Sequence, residues 1–300
     1  ERLLVALALS LNTAAGKAIK ASGATPEGLN AAINQLRQGR TADTAGAEDR
    51  YDALKKFARD LTEAARDGRL EVRWVDVTDT AATTAALAGA DLLWLESPSN
   101  PLLEVADIAA LTDAAHEAGA LVVVDNTFAT PLLQRGLELG ADVIVYSGTK
   151  HIDGQGRVMG GAVLGTKEYI DGPVQQLMRH TGPALSPFNA WTLVKGLETM
   201  RLRVDASVSS ALRIAEFLES DPRVRWVKYP FLQSHPQYDL AKSQMSGGGT
   251  VVTFELNDHD GIDGKKRAFE VLNGLRIVDI SNNLGDSKSL ITHPATTTHR

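Results

Sequence analysis

The chain has 300 residues, of which 43% are apolar and 23% are charged, so its composition favours a folded protein over a disordered chain. Its 31 basic and 37 acidic residues are interspersed and give a formal net charge of −6, which argues against a nucleic-acid-binding surface. The sequence contains no cysteine, which excludes disulfides, thiolate metal sites and a cysteine nucleophile and is compatible with the cytoplasmic location that we predict.

The first 70 residues have a helical pattern. Apolar residues recur at three- and four-residue spacing, with turns at residues 23–26 and near Gly39. Thr25 is a suitable N-cap and Pro26 suits the first position of a helix. The apolar start at residues 1–10 has little positive charge, so we favour a helix over a signal peptide. No later apolar run approaches the length that crosses a membrane.

Three stretches of this region carry a resemblance of their own, and they lie at residues 3–7, 21–29 and 47–70. They resemble the later half of the amino-terminal helical domain, and the following linker, of the Clp/Hsp100 disaggregase family. The resemblance implies part of a protein-binding domain, and a simple helical appendage is the alternative. The phosphate-binding pattern G-x-x-x-x-G-K-[ST] is absent from the sequence, so we do not expect the ATPase activity of that family.

From about residue 71 the pattern changes to alternating strands and helices. The change suggests a junction, which is either a natural fusion or an artefact. The predicted elements are strands at 72–76 and 92–95, a helix at about 104–118, a strand at 121–124, a helix at about 132–139 and a strand at 143–146. Long helices at 190–218 lead to a second domain, whose sheet begins at 247–254 and whose helix spans about 263–273. We therefore predict a helical segment at 1–70, a large domain at 71–225 and a small domain at 226–300.

Polar residues follow three strands that right-handed crossovers would make parallel, so these residues should meet at one edge of the sheet. They are Glu96, Ser97 and Asn100, then Asp125 and Asn126, and then Ser147, Thr149 and Lys150. A partly desolvated lysine can form a Schiff base, an ionised aspartate can keep a pyridinium nitrogen protonated, and hydroxyls can bind a phosphate. Taken one at a time, these residues fit a plainer interpretation better, in which Asp125 caps a helix and Lys150 is a solvated loop residue.

Four motifs occur together in this part of the chain: ESPSNP at 96–101, VDNTFATP at 124–131, YSGTK at 146–150 and SLITHPATTTH at 289–299. In this order, over about residues 72–300, they resemble the Cys/Met-metabolism family of PLP-dependent enzymes. The segments at 151–157 and 281–289 are most similar to the O-succinylhomoserine sulfhydrylases of that family. The resemblance implies an α/β fold of the aspartate-aminotransferase type, with a large domain and a small α+β domain after the all-α segment.

The resemblance also implies roles for the residues at the sheet edge. Lys150 would be the Schiff-base lysine and proton shuttle, Asp125 would pair with the pyridinium nitrogen of pyridoxal 5'-phosphate, and Asn100 would lie near its phenolic oxygen. Ser147 and Thr149 would contact its phosphate. The substrate would be bound by Asn283, near its carboxylate, and by Glu96.

The reaction implied is γ-replacement on O-succinylhomoserine, in which succinate leaves and sulfide adds to give homocysteine. Cystathionine γ-synthase or γ-lyase activity is the alternative among enzymes, and a homotetramer is the expected assembly. The other alternative is a non-catalytic chimera whose Clp-like segment binds proteins. The family's phosphate loop, its neighbouring-subunit tyrosine and its carboxylate-binding arginine have no match in these 300 residues, so we expect this polypeptide to bind PLP weakly and to turn over slowly.

Two further patterns predict no site. The glycines at 154, 156, 160 and 161 do not have the dinucleotide-binding spacing and precede a strand at 162–164, so they indicate turns. The histidines at 116, 180, 235 and 259 lack ligand spacing, and we predict no metal site.

Overall fold

The computed structural model describes residues 14–37, 68, 70–257 and 264–297. Contacts between Cα atoms divide the chain into two compact units, Glu1–Glu71 and Val72–Arg300. This division lies at the point where the sequence pattern changes, whereas the boundary expected near residue 225 stays a prediction. Of the helices that the structure describes, none is both long and apolar enough to cross a membrane.

Two helices are described in the first unit, α1 at Ala14–Ala21 and α2 at Pro26–Arg37. The turn between them contains Gly23, whose φ of 81° lies in the left-handed region that glycine adopts easily. The Thr25 side chain accepts a hydrogen bond from the Gly28 backbone at 3.0 Å, which confirms the predicted cap. The other helices predicted before residue 70 lie outside the described residues.

The second unit is built on a four-stranded sheet in the order β1-β2-β3-β4. Its strands are β1 at Leu92–Glu96, β2 at Leu121–Asp125, β3 at Val143–Ser147 and β4 at Gly161–Gly165. The first three are parallel, as predicted, and β4 is antiparallel to β3. Glu96 is opposite Asp125, and Asp125 is opposite Val145, so the three parallel strands end at the same edge.

Branched and aliphatic side chains hold this sheet to a helix. Val122 and Val124 of β2 are fully buried, and they belong to one cluster with Ile108 and Leu111 of the helix α4, Ile108–Glu117. Burial of one such side chain stabilises a fold by about 1.5–3 kcal/mol. This cluster therefore fixes the strand ends that carry the polar residues.

The remaining elements complete the unit. The helices are α3 at Thr80–Ala86, α5 at Thr130–Leu133, α6 at Lys167–Tyr169, α7 at Gln175–Thr181, α8 at Pro187–Ser220, α9 at Tyr238–Gln244, α10 at Gly264–Gly274 and α11 at Pro294–Thr297, with π-helical turns at Gly148–Ile152 and Ile170–Val174. Strands β5 at Val224–Lys228 and β6 at Thr253–Leu256 form an antiparallel pair, and β7 at Asp279–Ile280 and β8 at Leu290–Ile291 form a parallel pair. Helix α10 agrees with the prediction, and the helices expected at 190–218 are one continuous helix.

The strand predicted at 72–76 is wrong, because this segment is irregular. Its Arg73 guanidinium donates to the backbone carbonyls of Ala86 at 2.8 Å and Ala88 at 2.7 Å. Trp74 is 93% exposed, so the alternation of apolar residues here does not mark a buried face.

The two predicted helices beside the sheet are also corrected. The first begins at Ile108 rather than near Glu104, because the Asp107 side chain caps it by accepting from Ala110 and the Ala106 backbone donates to Ser97. The second, expected at 132–139, is replaced by the short α5. It ends there because Gln134 takes an extended conformation and pairs with Met245.

Candidate active site

A chain of hydrogen bonds joins the ends of β2 and β3. The carboxylate of Asp125 accepts from the Thr127 backbone at 3.0 Å, and the Thr127 hydroxyl accepts from the Ser147 backbone at 2.9 Å. Asp125 and Ser147 are thus held at the same edge by one intervening residue. The sheet topology explains this placement, since both residues end parallel neighbouring strands.

A second carboxylate, that of Glu96, lies at this edge opposite Asp125. Burial of the carboxyl raises the pKa of Glu96, and the negative charge of Asp125 raises it further, whereas a hydrogen bond from the Asn100 backbone lowers it. Asn100 itself is an exposed residue in the following loop. The edge therefore holds Glu96, Asp125 and the Asn100 backbone together, as the sequence predicted.

Lys150 lies in the π-helical turn Gly148–Ile152, which we call the lysine turn. Its φ of −87° and ψ of −121° interrupt the helical geometry. Thr149 ties the turn to the start of β4, because its hydroxyl accepts from the Gly160 backbone at 3.1 Å. A side chain at Gly148 would crowd Gly160, with its Cβ only 3.0 Å from the carbonyl carbon. The turn is therefore held against the residue before β4 at both Gly148 and Thr149.

The amine of Lys150 meets a residue far away in the sequence. Its Nζ donates to Oδ1 of Asn283 at 2.8 Å, and Asn283 is itself held by a hydrogen bond from its backbone to the Ser281 hydroxyl at 3.2 Å. Burial of the amine lowers the pKa of Lys150. The predicted Lys150 and Asn283 are thus brought into direct contact by the fold.

Residues 281–288 pack closely against the lysine turn. Gly285 has a φ of 75°, and a Cβ there would lie 2.6 Å from the His151 backbone nitrogen and 2.9 Å from the Lys150 carbonyl carbon. The Ser287 backbone donates to the Gly154 carbonyl at 2.8 Å. Position 285 favours glycine for two reasons. Its positive φ is strained for other residues, and the nearby backbone atoms leave no space for a side chain.

Two predicted residues of the sheet edge have structural hydrogen bonds. Asn126 is fully buried and donates to the Gln134 carbonyl and the Tyr146 hydroxyl, both at 2.8 Å. Ser97 is also fully buried, and its hydroxyl accepts from the Ala106 backbone at 3.1 Å. Both residues follow strand ends at the predicted edge, and their side chains turn into the protein interior, where they organise buried hydrogen bonds.

Sequence reasoning missed the buried polar groups around the lysine turn. His151 is 4% exposed, and its Nε2 lies 2.7 Å from the Thr250 hydroxyl. Burial, followed by the positive charge of Arg203, lowers the pKa of His151 to about 4. Asp153, whose side chain is fully buried, accepts from Nε of Arg157 at 2.8 Å. His151 and Asp153 lie in the segment at 151–157 that carries the resemblance, but no local pattern shows that they are buried.

The arrangement can perform amine chemistry. A desolvated lysine whose partner is a neutral amide can exist as the free base more readily than a solvated lysine can. A neighbouring strand end supplies the Asp125 carboxylate, and Ser147 and Thr149 supply hydroxyls. This donor set fits a cofactor that has an aldehyde, a basic ring nitrogen and a phosphate. Within the described residues, no group of three or more His, Asp or Glu side chains could hold a metal ion.

Comparison with known proteins agrees with this chemistry. The sequence model of the family described as "Cys/Met metabolism PLP-dependent enzyme" matches residues 6–300. An O-succinylhomoserine sulfhydrylase of Mycobacterium tuberculosis (strain H37Rv) is 70% identical over 208 residues, which are 69% of this chain and 51% of the relative. The enzyme of the same name from Pseudomonas aeruginosa is 49% identical over 231 residues, which are 77% of this chain and 56% of the relative.

Solved structures are similar as well. A methionine gamma lyase from Micromonospora echinospora superposes with a TM-score of 0.74 at 39% identity, and the match covers 80% of this chain and 64% of that one. The chain spans about half the length of the curated relatives that it matches. The family match also begins at residue 6, much earlier than the expected residue 72.

Proposed function

The chain belongs to the Cys/Met metabolism family of PLP-dependent enzymes, and we propose that it catalyses γ-replacement on O-succinylhomoserine with sulfide to give homocysteine. Its α/β fold is of the aspartate-aminotransferase type, as predicted. The proposal is supported by the 70% identity to a sulfhydrylase. It depends most on one observation in the structure, the contact of the partly buried Lys150 amine with Asn283.

The cofactor of this family is pyridoxal 5'-phosphate, which supplies an aldehyde for covalent attachment and an electron sink for the substrate carbon next to the amine. In this proposal Lys150 attaches the cofactor and Asp125 contacts its ring nitrogen. Ser147 and Thr149 contact the phosphate, and Asn100 contacts the phenolic oxygen. The hydrogen bond from Thr127 orients the Asp125 carboxylate for this contact.

Lys150 also moves protons in the proposed reaction. Its Nζ must be neutral to accept a proton from the substrate, and the burial that lowers its pKa favours that form. Asn283 holds the amine in place through Oδ1 and can turn its amide NH2 toward a substrate carboxylate. The carboxyl of Glu96 lies at the same edge, where we propose that it contacts the substrate.

The leaving group and the sulfur donor are parts of the same proposal. A succinyl ester and sulfide follow from the sulfhydrylase relatives. Cystathionine γ-synthase and γ-lyase reactions are the alternatives, and the similarity to a methionine gamma lyase supports keeping elimination among them. Product analysis separates these reactions: homocysteine forms with sulfide, cystathionine forms with cysteine, and elimination releases ammonia without a thiol acceptor.

We further propose that the protein forms a homo-oligomer. Apolar side chains are strongly exposed near the start of α8 and on α7, with exposed fractions of 69% for Phe188, 57% for Trp191 and 61% for Leu177. The rings of Phe188 and Trp191 lie together, with their centroids 5.9 Å apart, and clustered exposed apolar groups are typical of interaction surfaces. The homo-oligomer is tested by measuring the molar mass in solution by light scattering, where a monomer at all concentrations would contradict it.

The test of the proposed activity compares Lys150→Ala with Lys195→Ala, which removes an exposed lysine of α8. The protein incubated with pyridoxal phosphate and reduced with borohydride should carry the cofactor on the peptide that contains Lys150. Lys150→Ala should lose that label. Its rate of homocysteine formation should fall by a factor of about 10²–10⁴, which is the usual contribution of a general base. Attachment at another lysine would refute the proposed role of Lys150.

A second candidate function concerns the amino-terminal unit, Glu1–Glu71. We propose, as the alternative, that this unit is a Clp-like module that binds protein segments. Its support is a separate compact unit with two consecutive helices and a capped start at Thr25. The test measures binding of an unfolded polypeptide to the full chain. Lys150→Ala should leave this binding unchanged, whereas deletion of residues 1–70 should abolish it. Binding that survives the deletion would contradict the alternative.

A further inference from the structure

Arg203, on α8, binds the backbone of the lysine turn. Its guanidinium donates to the carbonyls of His151 at 2.9 Å and Ile152 at 3.3 Å. The same group donates to the Gly196 carbonyl at 2.8 Å and to the Thr199 hydroxyl at 3.1 Å, both within α8. One planar side chain therefore joins the two residues that follow Lys150 to the long helix of the unit.

Glycines allow the helix and the turn to approach this closely. A Cβ at Gly196 would overlap the Ile152 carbonyl, and a Cβ at Gly154 would overlap the Arg203 guanidinium. The helix and the turn are therefore in close backbone contact at Gly196, and the Arg203 guanidinium lies against Gly154. A side chain held in this way restricts the positions that the two carbonyls can take.

The lysine turn needs such support because its own hydrogen bonding is irregular. Lys150 departs from helical geometry inside the turn, and the carbonyls at the end of a helical segment have no partner further along the helix. A guanidinium satisfies these carbonyls with charge-assisted hydrogen bonds and complements their partial negative charge.

Charges of both signs surround Arg203. Burial lowers the pKa of Arg203, and the neighbouring Arg157 lowers it further, whereas Asp153 and Asp286 raise it. A guanidinium remains protonated in proteins, so the support does not depend on pH in the neutral range. Arg157 is itself paired with the buried Asp153, which leaves Arg203 to the carbonyls.

We propose that Arg203 is a positioning residue, which fixes the backbone after Lys150 and so keeps the Lys150 amine in its place beside Asn283. This inference rests on the proposed function for one point, the role of Lys150 as the cofactor-binding lysine. Arg203 touches backbone carbonyls in this arrangement and acts on the chemistry through the turn.

The test uses the full chain without cofactor and three variants, Arg203→Gln, Arg203→Lys and the control Arg201→Gln. Arg201 is exposed on the same helix two residues earlier. The rate at which a small amine-specific reagent labels Lys150 is measured against pH, with the labelled peptide identified by mass spectrometry. We expect Arg203→Gln to raise the midpoint of labelling toward the ordinary value for lysine, Arg203→Lys to raise it less, and Arg201→Gln to leave it unchanged.

Hydrogen exchange of the backbone amides at residues 148–157 provides the second measurement. Arg203→Lys keeps a positive charge but cannot span several carbonyls, so it should speed exchange in this segment at least threefold while Arg201→Gln does not. If Arg203→Gln fails to fold, the lysine variant decides the matter by both measurements. The inference is overturned if the Arg203 variants have the same labelling midpoint and the same exchange rates as Arg201→Gln. The proposed function fails by a different result, the attachment of the cofactor to another lysine in the wild-type protein.

Discussion

Nζ of Lys150 lies 2.8 Å from Oδ1 of Asn283, although the two residues are 133 positions apart in the sequence. The contact joins the end of the main sheet to the segment that follows β7. It gives the partly buried amine a neutral partner, which keeps the amine in place without stabilising its protonated form as a carboxylate would. The pairing therefore combines a fixed position with a lowered pKa, and a proton shuttle needs both.

Asn283→Ala should lower kcat/KM by about 10- to 100-fold, because it removes one hydrogen bond to a group that becomes charged, worth about 1.5–3 kcal/mol. Asn283→Asp should instead raise the pKa of Lys150 through its negative charge. A base works only when it is deprotonated, so the rise of the rate with pH should move to higher pH in that variant. The control is Asn282→Ala, which alters an exposed neighbour. Superimposable pH profiles of wild type and Asn283→Asp would contradict the assignment.

Glu96→Gln should stabilise the protein at neutral pH by less than about 1 kcal/mol, the usual size for a partly exposed charge. The pKa of Glu96 is raised in the fold by burial and by Asp125, so the folded protein binds its proton more tightly than the unfolded chain does. The ionised carboxylate therefore costs stability above the raised pKa, and the cost vanishes as the pH falls below the unfolded value of 4.5. Thermal unfolding midpoints are measured from pH 4 to 8. The midpoint of Glu96→Gln should exceed that of the wild type by an amount that grows with pH, whereas the exposed control Glu216→Gln should show no such increase.

The strands and the placement of their ends were predictable from the sequence because they depend on local patterns. The β-branched runs at β2 and β3 predict buried parallel strands, and parallel strands end at one edge. Local patterns did not predict which side chain, that of Asp125 or that of Asn126, is buried in the protein interior. Successive side chains near a strand end point to different sides, and the sequence does not say which of the two turns inward. The Tyr146 hydroxyl and the Gln134 carbonyl select Asn126 for the interior.

Other features depend on contacts between distant residues. Nothing local distinguishes Arg203 from the other arginines of α8, and its importance follows from the close approach of the helix to the lysine turn. The predicted helix at 132–139 failed for the same kind of reason, because the pairing of Gln134 with Met245 overrides the local helical pattern. The roles of the proposed site residues stay predictions until cofactor binding is measured.

Asn126→Ala should destabilise the protein by about 2–4 kcal/mol, because it leaves buried polar partners without hydrogen bonds. Asn126 donates to the Gln134 carbonyl and to the Tyr146 hydroxyl, and its own Oδ1 accepts from the Gln134 amide at 2.8 Å. Denaturant unfolding measures the loss, with the exposed Asn273→Ala as control. A loss no larger than that of the control would show that the buried network contributes little to stability.

Gly285→Ala should weaken the binding of pyridoxal phosphate at least tenfold, because the added Cβ would press on the backbone of Lys150 and His151. The matched control is Gly119→Ala, since Gly119 has a similar φ of 79° but no atom within 4 Å of an added Cβ. Both substitutions incur the strain of a left-handed alanine, about 1–2 kcal/mol, and only the first also displaces the lysine turn. Titration of the cofactor absorbance should therefore show unchanged affinity for Gly119→Ala, and the difference in unfolding free energy between the variants should report the overlap alone. Equal affinities in the two folded variants would mean that the packing of residue 285 does not position Lys150.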